Sequence, residues 1–370
     1  RQATHALRTR SMAAPSEPGD AQAPVAMTRR GAVIHYLVRP ERTRVLLTHN
    51  EVRTSWDIPV ESEALNRSVF ELRQALQNPR NDPRPASRQL HRLLLQPLEH
   101  TLRQYDVDTL TLILDGALRY VPFGVLHDGE RYLIERYAIE VQTAASAVAR
   151  TQAPGPIRIA ALGVTRSVAG LPPLPRVRAE LERIVDRGGS DRDGVVPGIV
   201  ALDQAFTHRQ LDGAFGGRFA LVHLASHFVF RPGALTDSWL VLGDGQFLTL
   251  ASFKDQAPDL SAVELLTLSA CSTALADDAG AGRELESFGA VAQRLGARDV
   301  LATLWPVADM STTMLMTDLY RRLYRGLTTG DAPSAYALRQ AQLGLLRPAS
   351  RYAPYRHPFY WAPFVLFASR

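Results

Sequence analysis

The chain has 370 residues, enough for two to three ordinary domains or one larger α/β unit, and its 46% hydrophobic content is ample for a buried core. The net charge of +5 is carried almost wholly by arginine (Lys254 is the only lysine), with no block of like charges, which argues against nucleic-acid binding. A single cysteine rules out an internal disulfide and fits a reducing, cytoplasmic setting, and neither a long apolar span nor an apolar leader points to a membrane.

Residues 1–30 are rich in Ala, Pro, Ser, Gln and Arg without periodicity, and read as a disordered linker or tail. The start at Arg1 rather than Met suggests a piece of something longer. Residues 32–38 and 43–49 read as a hairpin around the polar turn 39–42. Residues 62–77 place Leu65, Val69, Leu72 and Leu76 at helical spacing. A Pro-rich loop follows over 78–85, then a second helix over 86–105 that Pro97 kinks. Residues 109–114 read as a strand ending in Asp115-Gly116, and 132–141 as another strand.

The stretch 150–156 breaks this pattern and divides an N-terminal half, 31–152, from a C-terminal half, 153–370. Past it come a strand at 157–164, a rigid turn Leu171-Pro-Pro-Leu-Pro175, a helix over 176–187 and a polar loop at 188–198. A short helix spans 207–215, and Asp244-Gly245 turns a hairpin between 239–243 and 247–250. The Gly- and Asp-rich 274–282 reads as a mobile loop, followed by a helix over 284–295 stopped at Gly296 and a strand at 299–304. Helices over 310–325, stopped at Gly326, and 333–346 precede a last strand at 363–368. Strands alternating with helices beyond 156 predict an α/β fold with a mostly parallel central sheet.

Two apolar runs organise this pattern. Residues 219–228 end on His227 and Phe228, and 264–272 end on Cys271 and Ser272. Each reads as a buried parallel strand whose C-terminal end opens into a loop, where α/β sheets place their sites. A thiol is mostly protonated at neutral pH, and an imidazole beside it can take the proton or stabilise the thiolate. The tetrahedral oxyanion of acyl transfer needs fixed donors, for which the backbone N–H groups of Phe228 and Cys271 are the candidates. Plainer readings stand beside this one. A lone cysteine at a strand end is often a small buried hydrophobe, His227 can be structural, and His223 reads as core. His223 and His227 have H-x3-H spacing but lie on a strand with Leu224 between them, so no metal site is expected. No G-x-S-x-G elbow surrounds Ser269 or Ser272.

The pieces in order resemble the CHAT family, caspase-like peptidases of clan CD associated with TPR repeats. They are His223-Leu-Ala-Ser-His227-Phe-Val-Phe-Arg-Pro-Gly233, Leu268-Ser-Ala-Cys271-Ser-Thr-Ala274, Gly282-Arg-Glu284 with Phe288-Gly289, residues 296–307 with Asp309, and His357-Pro-Phe-Tyr-Trp-Ala-Pro-Phe364. Leu174-Pro175 with Glu180 and Asp115-Gly116 with Val121-Pro122-Phe123 are weaker pieces. The resemblance implies a caspase-like three-layer α/β/α fold with a pseudo-protease-like N-terminal companion. It implies an intracellular cysteine endopeptidase with His227 as base and Cys271 as nucleophile, acting on a protein or peptide substrate without a cofactor. An N-terminal TPR or sensor region would control it; a catalytically silent signalling or assembly module of the same shape is the alternative. Two positions depart from the pattern. Phe228 follows the histidine where relatives often have Gly, and its ring is expected to narrow the site. Ser269 stands two before the cysteine, where relatives that cleave after basic residues place an acid; Asp309 and Glu286, with its acidic neighbours, are the candidate substitutes in the substrate pocket.

Overall fold

The computed structural model describes residues 30–143, 156–188, 194–229, 238–272, 283–307, 310–330, 333–347 and 354–368; the side chains of 229, 270–272 and 283–288 lie outside that description. The expected tail up to residue 29, the 274–282 loop and Asp309 also fall outside it. In chain order the elements are β1 (Gly31–Val38), β2 (Thr43–His49), β3 (Val52–Ile58), α1 (Ser62–Leu76), α2 (Arg84–Leu94), α3 (Glu99–Gln104), β4 (Thr109–Ile113), β5 (Ala138–Val141), β6 (Ile159–Gly163) and α4 (Arg176–Ile184). There follow β7 (Val185–Asp186), β8 (Val196–Leu202), α5 (His208–Phe215), β9 (Leu221–Val229), β10 (Trp239–Val241), β11 (Phe247–Thr249), α6 (Leu250–Gln256), β12 (Leu265–Ser272) and α7 (Arg283–Arg294). The last are β13 (Asp299–Thr303), α8 (Met310–Thr329), α9 (Ser334–Leu346), α10 (Pro358–Trp361) and β14 (Phe364–Ala368).

The strands form one sheet in the order β3-β2-β1-β4-β5-β14-β13-β12-β9-β6-β8-β7, with the β10–β11 hairpin attached to β9. β1 through β3 pair antiparallel, and so does β13 with β14; the rest of the main path is parallel. The central strands read as unbroken apolar runs because both faces are covered. α4 and α8 pack together on one face, with α9 against α8, β5 and β14. α7 lies on the opposite face, where a Cβ on Gly289 would touch the Phe367 ring at 3.2 Å. This is the expected α/β architecture with helices on both faces of a mostly parallel sheet.

Four predicted elements change. The helix expected over 86–105 does not merely kink: it stops at Leu94, turns once as a 3-10 helix over Gln96–Leu98 and resumes as α3. Pro97 has no N–H to donate into a continuing helix, which is why the break falls there. The strand expected at 132–141 is shorter, since Leu133–Glu135 forms a 3-10 turn closed by a reciprocal cap between Tyr132 and Glu135. The loop expected at 188–198 gives way to β8 from Val196. α8 runs through Gly326, which is buried, and ends before Gly330, whose φ of +78° supplies the left-handed residue a helix terminus uses.

Candidate active site

β9 and β12 are adjacent parallel strands. Residues 265–269 run in register with 221–225, and beyond them Cys271 faces Phe228 and Ser272 faces Val229. Ala270 alone therefore spans the step that Ser226 and His227 take together, which makes a bulge in β9. A bulge bends its strand and re-aims a side chain. Here it leaves His227 without a partner on β12, one residue before the position opposite Cys271. Ser226 pins the bulge from one side by donating to Val241 O at 2.6 Å.

His227 is half-buried, and its Nε2 lies 2.9 Å from Pro172 O. A carbonyl only accepts, so Nε2 carries a proton, which leaves Nδ1 as the acceptor whenever the ring is neutral. This fixes both the orientation and the tautomer a general base needs. The Leu171–Pro175 turn is thus more than a spacer into α4: it delivers the carbonyl that holds the histidine.

Phe228 is paired in register with Cys271 on one side and with Leu240 of β10 on the other. Its ring is 1% exposed and belongs to the hydrophobic core. The expectation that this ring narrows the site is therefore corrected: it packs inward. The side chains of Cys271 and Glu286, and Asp309 as a whole, lie outside the described residues.

Ser269 is buried, and its hydroxyl donates to Glu180 Oε1 of α4 at 3.0 Å. The same carboxylate oxygen lies 3.2 Å from Nε2 of His223, without the alignment of a hydrogen bond. His223 has no exposed surface, in keeping with its reading as a core residue. Tyr320 Oη of α8 donates to Thr267 Oγ1 at 2.7 Å and so meets His223 Nδ1, at 3.1 Å, as an acceptor. Burial pushes the Tyr320 phenol above its ordinary value, which keeps it a neutral donor. A polar network of Glu180, Ser269, His223, Tyr320 and Thr267 therefore ties α4, β9, β12 and α8 together beneath the bulge.

The loop that carries Pro172 is held in turn by Asp203, at the end of β8. Asp203 Oδ1 accepts from the N–H of Thr165 at 2.7 Å and of Arg166 at 3.2 Å, and Oδ2 accepts from Thr165 Oγ1 at 2.7 Å. Burial alone would raise the Asp203 carboxyl; these donors outweigh it and hold the group below the usual carboxylate range. Sequence reasoning missed Pro172, Asp203 and Tyr320. The Pro-rich turn was visible, but a backbone carbonyl has no residue-type signature. Among the described residues no group of three or more His, Cys, Asp or Glu side chains could hold a metal ion, and no helix is long and apolar enough to cross a membrane.

Comparison with known proteins supplies a family and a fold. The family model for the CHAT domain matches residues 84–369. No curated protein matches the sequence. Similar solved structures include the Saccharomyces cerevisiae separase–securin complex, at 10% identity and a TM-score of 0.53, covering 92% of this chain and 30% of the other. Another is the Arg-specific cysteine proteinase gingipain R, at 12% identity and a TM-score of 0.45, covering 94% of this chain and 79% of the other. The chain spans under a third of the length of the separase chain it matches. At such identities the likeness is one of fold, and that fold is caspase-like.

Proposed function

The chain belongs to the CHAT domain family, and from that premise we propose that it is a cysteine endopeptidase working through a His227–Cys271 dyad. One observation supports the reading: the bulge in β9 leaves His227 unpaired, one residue before the position opposite Cys271, with its Nε2 proton committed to Pro172 O. The bare Nδ1 takes the proton of the Cys271 thiol. The thiolate attacks the scissile carbonyl, and a C–S bond forms as the carbonyl becomes a tetrahedral oxyanion. The oxyanion donors are the backbone N–H groups of Cys271 and Phe228, which the register makes neighbours. The imidazolium returns its proton to the amide nitrogen as the C–N bond breaks, and water, deprotonated by the same Nδ1, then hydrolyses the thioester. Pro172 O stabilises the imidazolium at each stage by accepting the Nε2 proton.

The substrate is a protein or peptide, and no cofactor enters these steps. We assign the chain to the cytoplasm, under the control of a TPR or other sensor region. The test compares cleavage of peptide libraries and of cell extract by the activated protein and its Cys271→Ala form. Loss of all cleavage in the variant, with an unchanged circular dichroism spectrum, is the expected result. Equal cleavage by both forms refutes the dyad, and labelling of Cys271 by a peptide electrophile reports the nucleophile independently of turnover.

A further inference from the structure

Asp203 is not part of the dyad, yet it grips the base of the loop that orients His227. The loop begins at Thr165, just past β6, and closes where Leu174 N–H donates to Thr165 O at 3.1 Å. Its tip is a tight turn in which Ala169 and Gly170 have φ values of +50° and +77° and Leu171 N–H donates to Val168 O at 2.8 Å. Ser167 Oγ donates to Leu171 O at 2.7 Å. The loop is thus rigid within itself, and two consecutive prolines, Pro172 and Pro173, stiffen the stretch that presents the carbonyl. A rigid loop needs an anchor to point correctly. Thr165, at the closure of the loop, is gripped at both its N–H and its hydroxyl by the Asp203 carboxylate.

Asp203 itself is held in an unusual conformation. Its φ is +53°, which costs a side-chain-bearing residue free energy. Gly243 packs tightly on this backbone: a Cβ there would come within 1.8 Å of Asp203 O. Phe206 N–H donates to Asp203 O at 2.7 Å, and Gly243 N–H donates to Phe206 O at 2.9 Å. Glycine would fit this backbone more easily. An aspartate here gives up conformational ease, and what the structure gains is the grip on Thr165 and Arg166. The side chain of Arg166 adds little, since it is 80% exposed and 3.9 Å away.

We infer that Asp203 is a positioning residue for His227: through Thr165 and the closed 165–174 loop it sets Pro172 O, and thereby the tautomer and direction of the imidazole. Its catalytic consequence rests on the dyad reading above; its geometric consequence does not.

The test uses the full chain with 15N-labelled histidine, the His227 signals being assigned through His227→Gln. In the wild type, the long-range 1H–15N spectrum is expected to show His227 in the Nε2–H form. Asp203→Gly removes the carboxylate while relieving the strained φ, so a purely structural role predicts a change in stability alone, with His227 unmoved. Positioning predicts a mixture of tautomers, a shifted His227 titration and a fall in kcat/KM of about tenfold to a hundredfold, the effect of a reacting group displaced by about 1 Å. Thr165→Val, which removes only the hydroxyl contact, moves the same readouts part of the way and serves if Asp203→Gly does not fold. Asp203→Asn keeps an acceptor for the two N–H groups and restores kcat/KM to within about fivefold. Wild-type tautomer and titration in both Asp203→Gly and Thr165→Val overturn the inference. A chain that cleaves nothing, but whose His227 tautomer follows Asp203, overturns the peptidase reading and leaves this one standing.

Discussion

Removing one oxygen atom, by Tyr320→Phe, tests the network beneath the bulge. The Tyr320 hydroxyl donates to Thr267 Oγ1 at 2.7 Å and accepts from His223 Nδ1 at 3.1 Å, and both Tyr320 and His223 have no exposed surface. Each bond contributes about 0.5–1.5 kcal/mol net, and a buried donor left without a partner costs about 1–3 kcal/mol. Moving the His223 proton to Nε2 recovers little of that cost, because Nε2, though 3.2 Å from Glu180 Oε1, is not aligned for a hydrogen bond. The expected loss is about 2–3 kcal/mol. Guanidinium unfolding followed by circular dichroism measures it as a shift in midpoint at unchanged slope. Thr267→Val supplies the second edge of a double-mutant cycle. With both groups made apolar the Thr267 oxygen is no longer stranded, so the double variant loses less than the sum of the singles, by about 1 kcal/mol. A loss below about 0.5 kcal/mol for Tyr320→Phe, or strict additivity in the cycle, would refute the reasoning.

Other consequences follow from the same geometry. Gly243→Ala drives a Cβ to 1.8 Å from Asp203 O and should cost about 3 kcal/mol or more, and because the clash is with backbone, Asp203→Gly should not rescue it in a thermal melt. The folded-state pKa of Asp203 is depressed, so its stabilising contribution is present above the ordinary carboxylate value of about 4 and is lost as pH falls through the lowered one. The stability difference between wild type and Asp203→Asn should therefore shrink between pH 6 and pH 3, both figures chosen to straddle that range of about 4, and a constant difference would contradict it. Leu162, with no exposed surface on β6 between β9 and β8, should cost about 2–5 kcal/mol when cut to Ala, read from the same unfolding curves; a change under about 1 kcal/mol would show that the site collapses or is not well packed.

How far the sequence could be read depended on whether its signal lay in residue types or in backbone. β9 and β12 were legible because strands covered on both faces must be apolar throughout, and Leu221–Leu224 and Leu265–Leu268 are nearly so. β3 was missed although its alternation is present: Val52, Thr54, Trp56 and Ile58 are the more buried set and Arg53, Ser55 and Asp57 the exposed one. Thr and Ser on an edge strand dilute that contrast. β8 was missed because Pro197 and Gly198 read as loop, whereas a Cβ on Gly198 would meet Ile159 O at 2.0 Å, so the glycine marks close approach of two strands. α8 outran its expected stop because Gly326 packs as a buried helical residue. At the site, His227 and Cys271 could be nominated from type and strand end, but the bulge that brings Phe228 opposite Cys271 and leaves His227 unpaired is a property of register. Register between strands some forty residues apart is decided by packing and leaves little local trace.

The place of β14 has a consequence for the order in which the molecule is made. It pairs antiparallel with β13 through five residues and parallel with β5 at Phe367 and Val141, so the last strand of the described chain joins the β1–β5 side of the sheet to the β6–β13 side. Its partner β5 ends at Val141, more than two hundred residues earlier. A nascent chain that has not reached residue 368 can build both flanks but cannot seal them. Closing so distant a pair carries a large loop-closure cost and makes sealing a late event. A ribosome-bound chain truncated before Phe364 should therefore be cut by added protease near Val141, at an edge the finished protein keeps covered.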